Sequence, residues 1–179
     1  MKSRVHFALS TQIDSRETIL NGASFSHCGR YRYDLWRSFP NTTGHRTVAF
    51  VMLNPSTADA VKNDNTIRRC ISFAHDWKCY RLAVVNLFAF RSSNPAGLAN
   101  VEDPIGPDND RFITHWIRRA DLVIAAWGAN KAVAMRKADV VTRLRNYNQI
   151  WCLGHTQDGS PRHPLYTPAG TRLVVYTGE

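Results

Sequence analysis

Asn54-Pro55-Ser56-Thr57-Ala58-Asp59 sets an amide, two hydroxyls and a carboxylate directly behind an apolar run over residues 47–53. Side chains in that position are suited to hold and react with a ligand, because ligands of parallel sheets bind just beyond the carboxyl ends of the strands. Three more polar sets follow apolar runs. Asn86 sits near the end of a run over residues 81–90 that also carries Phe88 and leads into Arg91; Trp127-Gly128 ends the run 121–128; and Pro161-Arg162-His163-Pro164 follows the run 149–154. Histidine titrates near neutral pH, and His163 in a proline-flanked loop is unlike a core residue. Asp59 and Asp64 supply carboxylates, while Arg68, Arg91 and Arg162 supply cations able to meet a phosphate.

Each of these residues also has a purely structural use. Asn54 suits a turn before proline, Asp64 suits a helix cap, Asn86 can tie down buried backbone, and Phe88 and Trp127 can pack in a core. Cys152, His155 and His163 match no familiar zinc spacing, and the four cysteines lack any Cys-x-x-Cys, so reduced thiols, no metal and no cofactor are expected.

The elements that must position these groups alternate along the chain. Apolar, β-branched runs halted by polar, glycine or proline residues read as buried strands at 47–53, 81–90, 121–128 and 149–154. Between them lie three helical patterns. Asn63-Asp64-Asn65-Thr66 caps the first, with Ile67, Cys70, Ile71, Ala74 and Trp77 inward. Asp108 caps the second, with Phe112, Ile113, Trp116, Ile117 and Ala120 inward, and Asn130 opens a third that runs to about residue 146 with Val133, Val140, Val141 and Leu144 inward. The pattern predicts an α/β fold: a three-layer αβα sandwich around a four-stranded parallel sheet with right-handed crossovers. Residues 24–39 alternate around Gly29 and predict an antiparallel hairpin flanking the sheet, residues 1–22 read as an irregular lead-in, and residues 173–176 read as a last short strand. The connection 91–107 is long enough to predict a functional loop on the site side.

With 179 residues, 44% of them hydrophobic, and no low-complexity linker, the chain is expected to form a single domain spanning residues 1–179. No apolar stretch reaches membrane-spanning length and the first residues lack a signal-peptide core, so a cytoplasmic protein without a membrane partner is expected. The 23 lysines and arginines against 14 acidic residues give a net charge of +9, which favours an anionic partner, nucleic acid or nucleotide. Nothing in the pattern sets an oligomeric state.

From the hairpin onward the chain resembles the domain-of-unknown-function family 1643. Its hallmark segments stand here as Arg30-Tyr31-Arg32-Tyr33-Asp34-Leu35-Trp36-Arg37, Met52 through Asp59, Asp64 through Cys70, Asn86 through Arg91, Ala126-Trp127-Gly128, and Gly159 through Tyr166. The order of strand-end motifs is also similar, more distantly, to the uracil-DNA glycosylase superfamily: Asn54-Pro55, Asn86, Trp127-Gly128 and His163-Pro164 stand where that superfamily carries its four motifs. Leu165-Tyr166 departs from its serine-bearing DNA-inserting loop, and iron–sulfur cysteines are missing. This second resemblance implies a uracil-DNA glycosylase-like fold and a glycosylase-like enzyme acting on the N-glycosidic bond of a nucleobase. In that chemistry the sugar gains positive and the departing base negative charge. Asn54 would orient water, Asp59 or Asp64 would assist, His163 would donate toward the base, Asn86 would read a base edge, and Phe88 or Trp127 would stack on it, with Ser56, Thr57 and Gly128 completing the substrate site. The alternative is a catalytically silent nucleic-acid or nucleotide module on the same pocket; a dinucleotide oxidoreductase is opposed by the lack of Gly-x-Gly-x-x-Gly after the first strand.

Overall fold

The computed structural model describes residues 5–14, 17–147 and 149–178. Eight strands form one sheet in the order β1-β2-β3-β5-β4-β6-β7-β8. They are β1 (Val5–Asp14), β2 (Glu17–Ser26), β3 (Arg32–Ser38), β4 (Arg46–Met52), β5 (Cys79–Asn86), β6 (Leu122–Ala125), β7 (Ile150–Cys152) and β8 (Val174–Val175). The helices are α1 (Asn65–Asp76), α2 (Asn109–Ile117) and α3 (Lys137–Arg145). None of the described helices is long and apolar enough to cross a membrane.

Continuous apolar runs make the middle strands two-faced. Along β4, Val48, Phe50 and Met52 enter one core with Ile67, Cys70, Phe73 and Ala74 of α1. The intervening Ala49 and Val51, with Leu53 just beyond the strand, enter a second core with Ile113, Trp116 and Ile117 of α2 and Val140, Val141 and Leu144 of α3. Successive strand side chains point to opposite faces, so helices cover the sheet on both sides. α1 starts where Asp64 accepts a hydrogen bond from the Ile67 N–H at 2.8 Å, a side-chain cap that satisfies one of the helix's orphan donors.

The expected sheet of four parallel strands is replaced by an eight-stranded mixed sheet. β5, β4, β6 and β7 are parallel neighbours, but four of the seven pairings, β1–β2, β2–β3, β3–β5 and β7–β8, are antiparallel. The hairpin predicted at 24–39 lies within it as β2 and β3, pairing directly onto β5. Much of the predicted irregular lead-in is strand: β1 pairs with β2 from Val5↔Ser26 to Asp14↔Glu17. Backbone bonds make that ladder while Phe7 and Leu9 stay 63% and 74% exposed, so no buried stripe marks it in the sequence. Residues 1–4, 15 and 16 of that lead-in lie outside the described residues. Glycine is required at Gly22, opposite Trp36, where a Cβ would come within 2.4 Å of the indole ring.

Two helix expectations also change. The helix predicted from Asn130 is split into a 3-10 turn, Lys131–Met135, and α3, because Arg136 turns inward to donate to the Leu87 carbonyl and pair with Asp110. Asp108 precedes α2 without a side-chain cap bond.

On β3, Arg37 is fully buried with every guanidinium nitrogen bonded. Its Nε and Nη2 reach Asn63 Oδ1 at 2.9 and 2.8 Å, Nη2 also reaches the Asp59 carbonyl at 2.7 Å, and Nη1 reaches the Trp36 carbonyl at 2.9 Å. Truncation leaves those acceptors without donors, and Arg37→Ala is expected to lose about 3 kcal/mol of stability in urea unfolding.

Candidate functional site

A cleft of about 980 Å³ opens beyond the carboxyl ends of the four parallel strands. β4 runs into Asn54, whose Nδ2 donates to the Ser92 carbonyl at 2.8 Å and the Pro55 carbonyl at 3.1 Å. Two carbonyl acceptors orient the amide, so Oδ1 is left as the acceptor that Asn54 can offer to the cleft it lines.

β5 ends in Asn86, only 1% exposed yet part of the cleft wall. Its Nδ2 is buried with no acceptor among the described residues, while its backbone carbonyl accepts from Asn109 at 3.0 Å. β6 leads to Trp127 and Gly128, both on the cleft. Trp127 Nε1 is likewise buried without an acceptor among the described residues, and its ring meets Tyr176 edge-to-face at 5.3 Å. Gly128 takes a left-handed φ of 72°, and its N–H donates to the Pro161 carbonyl at 3.0 Å. Buried donors are rarely left unmade, and Asn86 and Trp127 each bring one to the wall of this cleft.

After β7 the chain returns through residues 156–166. His163 accepts the Leu165 N–H on Nδ1 at 3.3 Å, which puts the proton of the neutral ring on Nε2. Burial holds this imidazole below the usual histidine value, opposed by the Asp64 carboxylate, so at neutral pH it is an uncharged N–H donor. Ser56, Asp64 and Arg162 line the same cleft. Asp64 does so while capping α1, and Arg162 while donating Nε to the His155 carbonyl at 2.9 Å.

Five of the expected site residues are not on the cleft. Thr57 is exposed, and Asp59 caps its own loop, accepting the Val61 and Lys62 N–H groups at 2.7 Å, bonds that lower its carboxyl pKa. Phe88 is buried in the core shared with α2 and α3. Arg68 donates to the Asn63 carbonyl at 2.6 Å and Asn65 Oδ1 at 2.8 Å at the start of α1. Arg91 donates to the Gly29 carbonyl at 3.2 Å and lies over the Phe25 ring. Strand-end position alone could not separate these from the cleft residues, because loop conformation decides which way each points.

Arg32 is the residue that sequence reasoning missed. It lines the cleft from the first position of β3 and is 3% exposed. Its charge alone gave no signal, because Arg30, Asp34 and Arg37 stand in the same hairpin. The loop 91–107 contributes Ser92, Ser93 and Pro95 to the wall. Cys152 Sγ and His155 Nε2 lie 3.6 Å apart, and among the described residues no three histidine, cysteine or acidic side chains gather as a metal site.

A family model described as a protein of unknown function, DUF1643, matches residues 32–165. The chain belongs to the DUF1643 family. No curated protein and no solved structure matches it. The DUF1643 match begins at Arg32 and spans every residue of the cleft wall except Tyr166.

His163 is expected to titrate below ~6.5 in histidine NMR, and Asp64→Asn, which keeps a capping side chain, to lower its pKa further by removing the opposing charge. Because folding lowers this pKa, His163's contribution to stability is complete above the unfolded value and is lost as pH falls through it toward the folded one.

Proposed function

We propose that the cleft of this DUF1643 protein binds a nucleobase and hydrolyses its N-glycosidic bond, on a uracil-DNA glycosylase-like arrangement of strands. One observation carries this: the ends of four parallel strands bring Asn54, Asn86, Trp127-Gly128 and His163 to one cleft. They follow in the same succession on which the likeness to that superfamily rests. Asn86 Nδ2 and Trp127 Nε1, buried without acceptors among the described residues, suit the carbonyls and ring nitrogens of a base edge.

Water held by Asn54 Oδ1 attacks the anomeric carbon as the carbon–nitrogen bond breaks. A neutral His163 donates through Nε2 to the base as it leaves with the bonding electrons. The proton released by water ends on the departing base nitrogen, with Asp64 as the nearby carboxylate able to carry it. A preorganised donor of this kind stabilises a transition state by about 3 kcal/mol.

A non-catalytic nucleotide or nucleic-acid module is favoured by a different observation: Asp59 and Asp64, the two carboxylates nearest Asn54 in sequence, both bind backbone N–H groups as caps. The two readings separate in one assay. Oligonucleotides and free nucleotides with normal, deaminated and modified bases are incubated with the protein, and released base is measured by mass spectrometry. A hydrolase releases base, and Asn54→Ala and His163→Ala each slow the release by roughly 10²–10³-fold with little change in affinity. Saturable binding with no base release from any substrate identifies the module instead.

A further inference from the structure

We propose that Arg32 is the anion-binding residue of the cleft and that it takes the terminal phosphate of a free mononucleotide; this deepens the nucleobase reading above by naming the substrate class. Two buried guanidiniums on the same strand make the case by contrast. Every nitrogen of Arg37 has an acceptor in Asn63, Asp59 or Trp36. The Arg32 guanidinium makes one hydrogen bond to the described residues, Nη1 to the Ala58 carbonyl at 2.6 Å. Its Nε is buried without an acceptor, and its Nη2 makes no hydrogen bond to the described residues.

No carboxylate among the described residues lies within ion-pair distance of Arg32, in contrast to Arg136 and Arg143, which both pair with Asp110. Asp64 shares the cleft wall, but its carboxylate is held by the Ile67 N–H and it, like Asp34, acts on Arg32 only at longer range. Burial pushes the Arg32 guanidinium down to about 10, which leaves it cationic at neutral pH. A buried cation with unused donors is unfavourable until an anion joins it, and a phosphate matches the guanidinium fork with two parallel hydrogen bonds.

The position of the cation decides between monomer and strand. Arg32 is only 3% exposed and lines the cleft together with Met52, Ile67 and Val84, which are also buried. An internal phosphodiester would need room there for chain on both sides. A terminal phosphate monoester needs room on one side only. A volume of about 980 Å³ is at the upper end for small-molecule sites and accommodates a mononucleotide.

Calorimetric titration of the full chain with the four ribonucleoside 5′-monophosphates, the matching nucleosides, inorganic phosphate and a single-stranded oligonucleotide tests this. At least one monophosphate is expected to bind on the order of 10- to 100-fold tighter than its nucleoside, the range of a hydrogen bond to a charged group. Arg32→Gln should erase that preference while nucleoside affinity is retained. Arg32→Lys should retain the preference in part, and the wild-type comparison holds even if a variant fails to fold. Three results overturn the proposal: nucleosides binding as tightly as monophosphates, oligonucleotide binding without monophosphate binding, or no saturable binding of any monophosphate. A phosphate preference without base release leaves the Arg32 site standing and removes the hydrolase; base release with no phosphate preference does the reverse.

Discussion

β3 carries two guanidinium groups into the interior, and the loop between β4 and α1 hangs on both. Arg37 binds the Asp59 carbonyl and the Asn63 side chain, and Arg32 binds the Ala58 carbonyl. Those bonds set the course of the segment that begins at Asn54 and ends at the Asp64 cap of α1. Arg37 is tolerable in the interior because backbone and side-chain acceptors surround it, so the loop and the strand specify one another. Burial lowers both guanidiniums to about 10, well above neutral pH, so both remain cations inside the fold.

Around this anchor the sheet behaves as a frame with one working edge. The parallel strands are buried on both faces by α1 on one side and α2 and α3 on the other, which leaves their carboxyl ends as the place where polar side chains can be concentrated. Neighbouring contacts hold several of these side chains in place before any ligand arrives. Asn54 is oriented by Ser92, His163 by the Leu165 N–H, and Asn86's backbone by Asn109. Groups held this way lose little freedom on binding, which favours affinity and, for a reacting group, rate.

What could be read from the residues followed burial. Uninterrupted apolar runs marked β4 through β7, and helical spacing marked the inward faces of α1, α2 and α3, including Phe112, Trp116, Val140 and Leu144. Strand-end polarity found Asn54, Asn86, Trp127 and His163 on the cleft. Three things escaped. β1 pairs through its backbone with solvent-facing Phe7 and Leu9, so its pattern carried no inside. Asp59 and Thr57 sit in a loop whose path depends on Arg37, a contact 22 residues away in the chain. Arg32 is a charge at a buried position, and local sequence gives such a residue the look of a surface cation. Its character emerges only from the count of acceptors around it.

The most direct measurement is a crystal structure of the protein grown in turn with each of the four ribonucleoside 5′-monophosphates. A nucleotide is expected in the cleft, with phosphate oxygens within hydrogen-bond distance of Arg32 Nε and Nη2 and the base edge against Asn86 and Trp127. A nucleotide bound elsewhere on the surface, or an Arg32 found closed in an ion pair with Asp64 and a cleft that takes no nucleotide, would contradict it.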